Sequence, residues 1–175
     1  RVYRDLMDAF EQGRFRLYAQ PIVPLWDPTR APRYEVFVRL LDAQHQPVSP
    51  DRFLQAAKRY QLLSQLDRWV LDEALRQLQP HAAALADVGA AFAVNVSEAS
   101  LAGFADHLAA RLAAAGVPGP VLGLELAESA AIAQLAAAER LIEAAARLGC
   151  PCAIDDFGTG LSSFAYLKSL PVGTL

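Results

Sequence analysis

The second half of the chain repeats one unit, and that repeat limits the folds open to it. Three nearly continuous apolar stretches, Ala90–Val96, Pro120–Leu126 and Pro151–Phe157, are separated by amphipathic stretches over Leu101–Ala115 and Ile132–Leu148. Short apolar runs between long runs of helical period predict strands joined by covering helices, the pattern of a parallel sheet buried on both faces. Gly116 and Gly149 stop the helices, with Pro118 and Pro151 just beyond. A last helix is expected over Ser162–Ser169, and Val172–Leu175 reads as the start of another strand.

The first half has a different grammar. Residues 3–12 predict a helix, Phe15–Val23 a strand and Arg33–Leu41 a second strand, with a turn over 27–32 between them. Two strands so closely joined suggest an antiparallel hairpin. Ser49-Pro50-Asp51-Arg52 opens a helical region, expected as helices over 51–60 and 64–79. Connections are short and no linker stands out, so residues 1–175 read as one domain.

Charge helps to exclude functions. Residues 1–80 hold 12 basic and 10 acidic residues, and residues 81–175 hold 4 and 9, or +2 against −5. No basic stripe of the kind that tracks a nucleic-acid polymer is present. No apolar run approaches the roughly 20 residues of a membrane span, and no signal peptide opens the chain. Cys150 and Cys152 stand two apart, too close in a strand for an ordinary disulfide, and suit buried free thiols in a reducing cytoplasm.

Polar residues on apolar strands are the chemical signal. Asn95, Glu125 and Asp155 recur every 30 residues, one strand-helix unit each, and Glu35 lies 60 before Asn95. In an α/β barrel the strand ends share one mouth, where active sites form. Three carboxylates there need a cation or protons, because like charges raise one another's pKa. Oxygen donors of this kind suit Mg²⁺, Mn²⁺ or Ca²⁺, and Asp156 offers a carboxylate to a second ion. Two close metals are a recurring device for phosphodiester hydrolysis. Read singly, each acid is as easily a cap or loop residue, although Ser97, Ser100 and Ser129 fit helix caps better. His45, His81 and His107 read as surface residues, Trp26 and Trp69 as packing residues, and Tyr18 as either packing or a base platform.

These residues resemble a family. Gln20-Pro21-Ile22-Val23, Glu35-Val36-Phe37-Val38-Arg39, Leu66-Asp67-Arg68-Trp69-Val70-Leu71, Asn95-Val96-Ser97, Glu125-Leu126-Ala127-Glu128-Ser129 and Asp155-Asp156-Phe157-Gly158-Thr159-Gly160 follow the order of EAL domains. Ser162–Pro171 continues the match. These domains are bacterial hydrolases or receptors of cyclic di-GMP. The resemblance covers essentially the whole chain, and it implies a modified TIM barrel whose first strand runs against the others.

By the same resemblance Glu35, Asn95, Glu125 and Asp155 would ligate a metal, Mg²⁺ or Mn²⁺, and Asp156 a second one. Gln20 and Arg39 would contact the dinucleotide, Arg39 at phosphate. Glu128 would anchor the loop Phe157–Ser163, which in the family couples the metal site to homodimerisation; Gly158 and Gly160 give that loop its backbone freedom. The signature Glu-Ala-Leu is here Glu35-Val36-Phe37, with larger side chains expected to line the site, and Ala127 replaces a Thr. About five of eight barrel strands are expected, with Leu175 at the start of the sixth. The family's catalytic Lys belongs to that strand, so the fragment is expected to be inactive.

Two readings follow from the resemblance: a metal-dependent cyclic di-GMP phosphodiesterase, or a degenerate domain that binds cyclic di-GMP as a receptor without turnover. A purely structural fragment that pairs with a second copy is a third. Asp156-Phe157-Gly158 also spells a kinase tripeptide, but no Gly-rich loop or His-Arg-Asp accompanies it.

Overall fold

A computed structural model describes residues 2–22 and 29–155. Helix α1 (Val2–Glu11) leads into the hairpin of β1 (Phe15–Ile22) and β2 (Arg33–Leu41), and a short strand, β3 (Pro47–Val48), pairs back onto β2. Helices α2 (Pro50–Arg59), α3 (Leu63–Leu78) and α4 (Ala82–Asp87) cross to β4 (Ala91–Val96). Then come α5 (Phe104–Ala115), β5 (Leu122–Ala127), α6 (Glu128–Ala133), α7 (Leu135–Leu148) and β6 (Cys152–Asp155).

The described strands form one sheet in the order β1-β2-β4-β5-β6, with β3 off that path. β1 and the short β3 both run antiparallel to β2, and the pairs β2–β4, β4–β5 and β5–β6 are parallel. The hairpin and the parallel repeat are therefore both present. They form mixed α/β architecture with the antiparallel first strand expected of a barrel of this kind.

Period-2 alternation decides which face meets the helices. Leu122, Leu124 and Leu126 of β5, Val94 and Val96 of β4, and Val36 and Leu40 of β2 are buried against the helical layer. From the helices come Leu71 and Leu75 of α3, Phe104 and Leu108 of α5, and Leu141 and Ile142 of α7. Phe15 ties β1 to this core, its ring centroid 4.7 Å from that of Phe10 and 5.5 Å from that of Trp69. Trp69 is thus a packing residue.

Several boundaries differ from the sequence reading. Helix α5 begins at Phe104 because Glu98–Ser100 first makes a 3-10 turn. The helix expected over 132–148 is two, since Gln134 at φ −129° interrupts the α-helical backbone. Ser129 lies inside α6, whose N-cap is Ala127, so it does not cap. β3 and α4 were not foreseen, the first too short and the second too Ala-rich to carry a period. Gly149 closes α7 at φ 80°, as its position implied. Cys150 and Cys152 are buried and free. The expected helix over 162–169, the strand start at 172–175, Trp26 and Asp156 lie outside the described residues.

Candidate functional site

Cross-strand partners lie on the same face, as do residues two apart. Gln20 pairs with Glu35, and Glu35 with Ala93. Asn95 pairs with Glu125, and Glu125 with Ala153. Stepping by two from these partners, Gln20, Glu35, Arg39, Asn95, Glu125 and Asp155 all share the face turned away from the helices. One face of the sheet is thus nearly all apolar, and the other collects the polar residues.

They do not lie on one level. Glu35 is the third residue of the nine in β2, level with Ala93, and so is not at the strand's end as the spacing suggested. Asp155 is level with Ala127, two residues beyond Glu125. The line of polar groups runs diagonally across the strands, the stagger expected when a sheet curls towards a barrel.

Within this row the Asn95 amide nitrogen donates to Glu35 Oε2 at 3.4 Å and to the Val36 carbonyl at 3.5 Å. That leaves the amide oxygen as the atom able to meet a cation. Glu125 is 8% exposed, and its Oε2 is buried without a hydrogen-bond partner. Burial first, then the charges of Glu35 and Asp155 and a hydrogen bond with Glu35, push its carboxyl up to about 7. Among the described residues no three His, Cys, Asp or Glu side chains already form a cage for an ion. The donor chemistry nevertheless fits a hard cation: an orphaned buried oxygen, two further carboxylates and an amide oxygen.

Gln20 and Arg39 line an adjoining groove of about 300 Å³ with Tyr18, Phe37, Leu41 and Pro47. The Arg39 guanidinium carbon lies 5.7 Å from the Phe37 ring centroid, and its Nη1 donates to the Val38 carbonyl at 3.0 Å. Phe37 thus belongs to this face, opposite Tyr18. Val36 does not: it is 6% exposed and points to the helices, because neighbouring strand residues alternate. The expectation that both enlarged signature residues line the site is corrected to one. Glu128 opens α6 and is buried, while the loop it was expected to anchor lies outside the described residues.

Some polar contacts escaped the sequence reading. Asp67, on the first turns of α3, accepts from the Ser97 amide at 2.9 Å and from the Ser97 and Ser100 hydroxyls at 2.6 Å each. Ser97 does stand at the N-cap position of the 3-10 turn Glu98–Ser100, but it makes no side-chain cap hydrogen bond there, and both serine hydroxyls serve this carboxylate. Burial raises the Asp67 pKa, against the lowering effect of the three hydrogen bonds. His107 is not a plain surface residue either, since it meets Asp72 Oδ1 at 2.9 Å with its side chain 24% exposed. These partners are 30 to 35 residues apart, beyond any local sequence signal.

Residues 3–175 match the EAL domain family model. Cyclic di-GMP phosphodiesterase NbdA of Pseudomonas aeruginosa is 34% identical over 172 residues, covering 98% of this chain and 22% of that protein. The chain spans about a fifth of that relative's length. Among solved structures, the FimX EAL domain from Pseudomonas aeruginosa bound to c-di-GMP superposes with a TM-score of 0.86 at 36% identity, over 98% of this chain and 68% of that one. A MucR phosphodiesterase in complex with c-di-GMP gives 0.84 at 32%, over 98% and 69%.

Proposed function

Because this chain belongs to the EAL domain family, we propose that it forms part of a domain that binds cyclic di-GMP and, in the whole protein, hydrolyses it to the linear dinucleotide with Mg²⁺ or Mn²⁺. The buried, unpartnered Glu125 Oε2 beside Glu35, Asn95 and Asp155 carries the reading. Without a cation that oxygen is desolvated with no hydrogen bond from the protein to offset the cost.

Glu35, Asn95, Glu125 and Asp155 would hold one cation, and Asp156 a second. When bound, such ions supply a water of lowered pKa and neutralise charge on the phosphodiester. Arg39 would hold a phosphate oxygen with its planar fork, its stem steadied by Phe37, and Gln20 would bind the dinucleotide beside it. Glu128 would anchor the following loop and link the site to homodimerisation. The motifs in these 175 residues do not include the family's catalytic Lys, so the 175 residues alone are proposed to bind without turnover. No described helix is long and apolar enough to cross a membrane, and the two free thiols favour action in the cytoplasm.

A second reading, a receptor without turnover, is favoured by Phe37 and Ala127, which replace the family's usual residues on this face. Incubating the whole protein with cyclic di-GMP and Mn²⁺, with chromatographic analysis of products, separates the two. Linear dinucleotide is expected. Tight binding without linear product would favour the receptor, and the absence of binding would end both readings.

A further inference from the structure

Asn95 is held unequally by its neighbours in the sheet. The described β2–β4 pairing stops at Glu35 and Ala93, two residues before Asn95. On the other side β5 pairs with Asn95 and Val96. At the level of Asn95 the backbone of β4 is therefore laddered on one side only, and the contacts towards β2 are the two long ones made by its side-chain amide, at 3.4 and 3.5 Å. The chain just beyond this one-sided ladder carries a further contact that bears on where the strand points as it leaves the sheet.

Asp67 makes that contact. Ser97 follows β4 in extended backbone, φ −74° and ψ 161°. Its amide and hydroxyl both donate to Asp67 Oδ2, which also takes the hydroxyl of Ser100. Three donors on one carboxylate oxygen bind the chain two residues after Asn95 to α3, an element rooted in the core through Leu66, Val70 and Leu71. Charge-assisted bonds as short as 2.6 Å hold geometry better than neutral ones. Among the described residues its hydrogen bonds go to Ser97 and Ser100 and not to the polar row itself.

We propose that Asp67 is a positioning residue: by clamping Ser97 and Ser100 it sets the direction of the β4 end and so places the Asn95 amide oxygen for a cation. The role for the cation rests on the proposed function; the placement of Asn95 does not. Groups that orient metal ligands from behind are worth about ten- to a hundredfold in metal affinity in other sites.

The test uses Asp67→Ala, Asp67→Asn, Ser100→Ala and a control, Leu71→Ala, which disturbs the same helix by opening its core. Mn²⁺ binding is measured by calorimetry, and the Asn95 side-chain amide is followed by ¹H–¹⁵N NMR. Asp67→Ala should weaken Mn²⁺ at least about tenfold and shift or broaden the Asn95 amide signals. Asp67→Asn keeps an acceptor oxygen and should restore much of both, and Ser100→Ala should fall between Asp67→Asn and the parent. Leu71→Ala should lower the melting temperature and leave both readouts near the parent. Unchanged Asn95 signals in Asp67→Ala would overturn the clamp, as would a Leu71→Ala protein that loses as much. If the parent itself does not take up Mn²⁺, the cation reading fails, and the Asn95 signals still decide the clamp.

Discussion

At Glu125 burial and two neighbouring carboxylates act in the same direction, and all of them favour the protonated acid. A fold seldom keeps such a group for stability. Glu125→Gln removes the charge while keeping the shape, so without cation the variant should be more stable, by about 1–3 kcal/mol. Thermal melts in EDTA read this directly. The same variant should lose Mn²⁺ affinity at least about tenfold, whereas a fall in both quantities would mark Glu125 as a structural residue. The thiols offer a pH test. Burial pushes Cys150 up to about 11 and Cys152 to about 12, the latter helped by Cys150. A folded pKa above the unfolded one means stability fully present below the free-thiol value and lost as pH rises through 9 towards 12. Denaturant midpoints should drop over that window by more than in a Cys150→Ala/Cys152→Ala variant.

The elements are fixed mainly where backbone meets backbone. Gly119, in the 3-10 turn Gly119–Val121 ahead of β5, has no side chain because the C-terminal end of α7 occupies that space. A methyl there would overlap the Leu148 carbonyl oxygen and lie 2.8 Å from its carbon. That carbonyl belongs to the last residue of α7 and cannot move without disturbing the Gly149 cap. Gly119→Ala should therefore cost about 2–4 kcal/mol, measured by urea denaturation. An effect under about 0.5 kcal/mol would show that the helix end yields. Between α3 and α5, Asp72 Oδ1 accepts from His107 Nε2 at 2.9 Å and pairs with the Arg111 guanidinium at 3.0 Å. These pairs are partly exposed and contribute less than the apolar seam of Leu71, Leu75, Phe104 and Leu108 beneath them.

Across the whole molecule the sheet separates two chemistries. Its helix side is apolar and its other side carries the acidic row and the Arg39 groove. Among the described residues β1 is an outer strand, paired with β2 alone, and shows Tyr18 at 56% and Ile22 at 47% exposure. Unpaired strand edges with exposed apolar groups promote association. The 175-residue chain in isolation should therefore self-associate with rising concentration, detected by sedimentation velocity. A monodisperse monomer at high concentration would count against this.

The sequence by itself determined the class of fold and the membership of the polar row. The 30-residue spacing of Asn95, Glu125 and Asp155 comes from repeated strand-helix units, and such units are visible as alternating apolar and amphipathic runs. Pleat parity then follows from counting by two. The sequence did not reveal the level of Glu35, which depends on the stagger between β2 and β4. Val36 and Phe37, by contrast, are assignable from the pleat alone, since residues one and two positions from Glu35 in one strand take opposite faces. Asp67 was legible only as part of a motif. Its partners are 30 and 33 residues away, and tertiary packing alone brings a carboxylate on α3 to the end of β4.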